Sequence, residues 1–101
     1  MKDVDVIMVR VYITEASKML EKVLSYLKDE AKMRGVTVFR AISGYGDNKE
    51  MHTASLVDLS LDLPLVVEFF DEKGKVAPVI EHLNSFLKPE HIVFWDAKAN
   101  S

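Results

Sequence analysis

Apolar residues change rhythm twice in the first third of this chain. Val4, Val6, Ile7, Val9, Val11 and Ile13 are dense and β-branched, with Arg10 the only charge after Asp5. That pattern predicts a central strand over Val4–Ile13, buried on both faces. Ala16, Met19, Leu20, Val23, Leu24, Leu27 and Ala31 then recur at helical spacing and form one apolar stripe. Thr14 offers a capping hydroxyl, Glu15 suits the positive end of a helix dipole, and Gly35 supplies a stop. The first helix is therefore expected over Thr14–Arg34.

The rest of the chain repeats the alternation. Val36 to Ile42 is again β-branched and aromatic. Its face assignment stays open, because Arg40 shares a face with Val38 and Ile42. Ser43-Gly44-Tyr45-Gly46-Asp47-Asn48 follows with turn chemistry, its two glycines able to take positive φ. A further strand is expected over Leu63–Phe70, with Pro64 at its start, where a missing ladder donor is tolerated, and Glu68 as its only charge. Val76, Val79, Ile80, Leu83, Phe86 and Leu87 predict a helix over Lys75–Leu87, with Pro78 in its first turn and Pro89 beyond its end. Ile92–Trp95 reads as the last strand, and Ala97–Ser101 as a flexible tail.

The order βαββαβ specifies an α+β fold of the ferredoxin-like kind, an antiparallel sheet with two helices on one face. Residues 1–101 make one domain, since a chain of this length has room for one core. The other sheet face is then bare, yet the strands direct apolar side chains to both sides. Self-association is the simplest cover, with Phe94 and Trp95 contributing to it.

Charge and composition narrow the functional classes. Thirteen Lys and Arg against sixteen Asp and Glu leave a net charge of −3, with no basic cluster to meet a phosphate backbone, which disfavours nucleic acid as a partner. The absence of cysteine excludes disulfides, thiolate nucleophiles and cysteine-ligated metal, and fits a cytoplasmic protein. No apolar run is long enough to span a bilayer, so direct membrane insertion is not expected.

Few residues offer chemistry. Arg40 presents a planar fork suited to phosphate or carboxylate, against the plainer reading of an ion pair with Glu68, for which Arg10 competes. Gly44 and Gly46 could let backbone N–H groups approach an anion, or simply turn the chain. His52 could meet an effector or stand exposed in its loop. Ser60, Asp58 and Asp62 lack a positioned base and an oxyanion pocket, so they are read as turn or capping residues rather than as catalytic groups. His52, His82 and His91 have no metal-ligand spacing, and neither a metal nor another cofactor is expected. An acylphosphatase-like activity is disfavoured, because no glycine-rich phosphate cradle precedes Arg40.

Three stretches together carry a family resemblance: Gly35–Gly46 with its Arg-x-Ile-x-Gly-aromatic-Gly segment, then His52, then Leu59–Glu68 with Asp71 following. They resemble the domain of unknown function 190 family, a relative of the PII-type signal proteins. Ala41 stands where the family often has Gly, and Tyr45 where Phe is frequent. The resemblance implies a homotrimer without enzymatic activity, its sheets lining the centre and its subunit clefts holding a small anionic effector such as an adenine nucleotide. It also implies a loop over Gly44–Thr53 that grips a transporter or enzyme. The ligand-binding set is then Arg40, Gly44, Tyr45, Gly46, His52 and Asp62. A structural adaptor with no small-molecule ligand is the alternative.

Overall fold

The computed structural model describes residues 1–45, the backbone of residues 52–53, and residues 63–101. Strand β1 spans Asp3–Thr14. Helix α1 covers Met19–Ser25 and continues as a π-helical turn over Tyr26–Glu30. Strand β2 is Val36–Arg40, followed by two short strands, β3 (Ser43–Gly44) and β4 (His52–Thr53). Strand β5 is Pro64–Asp71, helix α2 is Lys73–Asn84, and strand β6 is Ile92–Asn100. The four long strands form one antiparallel sheet in the order β2-β5-β1-β6, while β3 and β4 pair with each other. The expected ferredoxin-like arrangement is present.

Strand register decides which side chains share a face, because directly paired residues point the same way. Val9 is opposite Phe69, Val11 opposite Val67 and Ile13 opposite Leu65, and all six are buried. They meet Val23 and Leu27 from the first helix and Val76, Val79 and Leu83 from α2 in one core. The helices therefore cover a single face. Strand β1 is central, as expected, but more deeply buried on the helix side, because Met8, Arg10 and Tyr12 point away from the helices and are only partly covered.

The start and end of the first helix both depart from expectation. Thr14 is still paired with Pro64 in the β1–β5 ladder, so it cannot cap a helix. A turn intervenes, in which the Ser17 hydroxyl donates to the Thr14 carbonyl at 2.6 Å and accepts from the Met19 N–H at 3.3 Å. At the far end the Ala31 N–H reaches the Tyr26 carbonyl, five residues back, at 2.9 Å. The chain then reverses at Lys32, which holds φ 54. Gly35, the expected stop, has no positive φ.

A lysine in the left-handed region is strained by about 1–2 kcal/mol, and glycine there gives back about 0.5–1 kcal/mol in lost chain freedom. Lys32→Gly should therefore raise the unfolding free energy by about 0.5–1 kcal/mol. A higher urea midpoint at unchanged slope checks it, and an unchanged midpoint would show that Lys32 carries no strain.

The chain's last residues are not frayed. On the edge of β1 opposite β5, the β6 ladder runs on past Ile7 to the start of the strand, with Val6 opposite Ala97, Val4 opposite Ala99 and Asp3 opposite Asn100. The Ser101 N–H donates to the Lys2 carbonyl at 3.1 Å, and Lys98 pairs with Asp5. Helix α2 begins two residues earlier than expected, which places Pro78 beyond the first turn.

Asp71, at the end of β5, is a buried carboxylate. Its Oδ1 accepts the Glu72 N–H at 2.8 Å and its Oδ2 lies 3.4 Å from the Lys75 ammonium. That ammonium also donates to the Lys32 carbonyl at 3.4 Å, tying the first turn of α2 to the end of the first helix. Burial alone would push the Asp71 carboxyl up. The Glu72 N–H, the Lys75 ammonium and the charge of Arg34 outweigh it and hold it below the ordinary aspartate value.

A carboxyl depressed on folding contributes stability above its unfolded pKa of about 3.9 and loses it as pH falls through the lower folded value. The advantage of the native chain over Asp71→Asn should thus be full at pH 7 and shrink below about pH 4. Urea midpoints for both chains across that range check it; a gap independent of pH would contradict it.

Candidate functional site

The candidate residues gather where β2 leaves the sheet and β5 enters it. Arg40 is the last residue of β2, opposite Leu65, so its side chain starts on the helix-covered face. Glu68 is opposite Arg10 and Thr37 on the other face. The plainer reading of Arg40, a pair with Glu68, is corrected by this register, since the sheet lies between them. Arg40 instead pairs through Nη2 with Glu15 of the β1–α1 connection. Two-thirds of the Arg40 side chain stays exposed, against about a quarter of Glu15.

Backbone hydrogen bonds explain the meeting. The Glu15 N–H donates to the Leu63 carbonyl at 3.1 Å, and the Ala41 N–H donates to the Pro64 carbonyl at 2.9 Å. Two consecutive residues at the start of β5 thus anchor both segments. Glu15 was legible only as a helix-dipole residue; its contact with Arg40 depends on strand order, which no local pattern encodes.

Gly44 lies in β3, opposite His52 of β4, and takes no positive φ. The space beside it is tight, because an added Cβ would sit 3.1 Å from Pro64 Cγ and the ring would have to give by a few tenths of an ångström. Ile42 and Tyr45 are strongly exposed on either side of this short strand. Arg40, Gly44, Tyr45 and the His52 backbone are thereby brought to one corner of the domain. Gly46, Asp62 and most of the Gly44–Thr53 loop lie outside the described residues, as do Asp58 and Ser60.

A second feature is the sheet face away from the helices. Register arranges it in three rows. Phe70, Met8 and Trp95 form the first across β5, β1 and β6. Thr37, Glu68, Arg10 and Val93 form the second, and Phe39, Val66 and Tyr12 the third. Phe39, Phe70, Tyr12, Val93 and Trp95 are 40–48% exposed, a density of apolar surface rarely left open to water.

Between the apolar rows, Arg10 Nε donates to Glu68 Oε2 at 2.7 Å, and its guanidinium carbon lies 5.9 Å from the Trp95 ring centroid. The hydrogen bond to Glu68, with a further one to Tyr12, raises the Arg10 pKa, so the charge is permanent. The structural reading of Arg10 and Glu68 holds.

The imidazole of His82 is exposed and stacks on Tyr26 with ring centroids 3.9 Å apart. Among the described residues, no helix is long and apolar enough to cross a membrane.

Comparison with known proteins follows the same outline. The sequence profile of the domain of unknown function 190 family (DUF190, "Uncharacterized ACR") matches residues 6–99. A UPF0166 protein from Aquifex aeolicus (strain VF5) is 46% identical over 61 residues, 57% of this chain and 58% of that relative. The chain thus spans less than two-thirds of the relative's length.

Among solved structures, CPII from Thiomonas intermedia K12 bound to ADP and bicarbonate superposes with a TM-score of 0.74 at 20% identity, over 99% of this chain and 93% of that one. A Thermus thermophilus protein provisionally assigned as PII-like signaling gives 0.67 at 13% identity, over 98% and 91%. At such identities the likeness establishes a shared PII-like fold.

Proposed function

Because the chain belongs to the DUF190 family and carries the PII-like fold, we propose that it is a regulatory subunit of the PII-like kind. In this reading it is a homotrimer that senses a small anionic effector, an adenine nucleotide, at its subunit clefts. It passes occupancy to a transporter or enzyme through the 44–53 loop, and it catalyses no reaction itself.

The observation that carries the reading is the near-complete superposition on a protein whose structure holds ADP and bicarbonate. Two features of the chain support it. The three-row open face is an apolar surface of the type that homo-oligomers bury. Arg40 and the exposed Tyr45 stand at one corner, a guanidinium for phosphate and a ring for a base.

Native mass spectrometry and calorimetric titration with ADP, AMP, ATP and bicarbonate test it together. A trimer that binds one of them agrees with the proposal. A bare trimer giving no heat would replace it with the adaptor reading, and a monomer would remove both.

A further inference from the structure

The Arg40–Glu15 pair has a consequence for how an anion is bound, one that rests on the effector-sensing reading above. Glu15 is not needed to bury Arg40, whose side chain stays two-thirds exposed. Nor does the pair hold the fold at this corner: Leu63 and Pro64 already fix both segments through backbone hydrogen bonds. Those bonds place Glu15 within reach of the guanidinium without help from the side-chain pair. An incoming phosphate would seek the same planar donor fork that Glu15 occupies.

We propose that Glu15 is a tethered competitor for Arg40, which the anionic effector must displace, and that it thereby sets the affinity of the site. The carboxylate stands in for the ligand's anion in the empty state and keeps the guanidinium oriented while lowering apparent affinity. An exposed ion pair is a weak rival, so displacement is feasible at modest ligand concentrations. Coupling is reciprocal: a ligand that takes Arg40 frees the Glu15 carboxylate, while the hydrogen bond to Leu63 still holds the β1–α1 connection.

Calorimetric titration of the full chain with ADP, and separately with pyrophosphate, tests the proposal in Glu15→Gln, Arg40→Gln and the double variant. Glu15→Gln should bind about two- to five-fold more tightly than the native chain, the range expected for loss of an exposed ion pair. Arg40→Gln should bind more weakly than either, and adding Glu15→Gln to it should change nothing further.

Equal affinity of Glu15→Gln and the native chain, with Arg40→Gln weakened, overturns the competitor role and leaves effector sensing intact. Weaker binding by Glu15→Gln also overturns it, making Glu15 a positioning residue. Binding unaffected by any variant removes Arg40 from the site. No binding by any chain removes the inference together with the reading beneath it. Glu15→Ala provides the same readout should the glutamine hydrogen-bond to Arg40 in the carboxylate's place.

Discussion

Phe69→Ala should lower the unfolding free energy by about 3–5 kcal/mol, the cost of emptying a large aromatic site in a closed core. Phe69 is 1% exposed, sits on an interior strand between β1 and β2, and is opposite both Val9 and Val36. It belongs to the same core as Val23, Leu27 and Val76, which must collapse or leave a void when the ring is removed. A small domain has about 5–15 kcal/mol of stability in all, so the variant should lose a large fraction of it.

Urea denaturation followed by far-ultraviolet circular dichroism is the measurement. The adjacent substitution Phe70→Ala is the control, since its ring projects from the opposite face. An equal loss of folded-subunit stability in the two variants would contradict the face assignment.

The second large effect concerns assembly. Phe70→Lys combined with Trp95→Lys should disperse the proposed homotrimer to monomers while leaving the subunit folded. Both residues flank Met8 in one row across three strands. Two ammonium groups buried in a contact formed by this row would lose their hydration with no partner placed to offset it. Surface substitutions away from the core change stability by about 0.5 kcal/mol or less, so the dichroism spectrum of the monomer should stay that of the native fold. Native mass spectrometry reads the subunit number directly. An unchanged oligomer mass would mean that the open face is not the contact.

Much of the outline was legible because local patterning and global fold agree. The β-branched run of β1, the apolar stripe through Met19, Val23 and Leu27, and the Pro64-led strand β5 each specify their element from near neighbours alone. Their order restricts the topology to a split βαβ sheet, whose one uncovered face follows from having only two helices. The Arg-x-Ile-x-Gly-aromatic-Gly segment, His52 and the Leu59–Glu68 stretch together pointed to the family, to which the chain belongs.

What patterning could not reach depends on contacts between residues far apart in sequence. Thr14 has the chemistry of a cap but is retained by β5, so the helix starts at Met19. Lys32 turns the chain because the π-helical turn ends there, although Gly35 is the residue that local preference would choose. Ala97 to Asn100 have the sequence of a tail but continue the β6 ladder along the start of β1, and its hydrogen bonds order them.

The partners of the two arginines show the same division. Each has the chemistry to pair with Glu68, but alternation places Arg10 on Glu68's face and Arg40 on the other, where Glu15 waits. Local patterning was enough to specify the elements, their order and the chemical types available. Which charge meets which was settled by the assembled sheet, because strand order and register set distances that residue spacing does not contain.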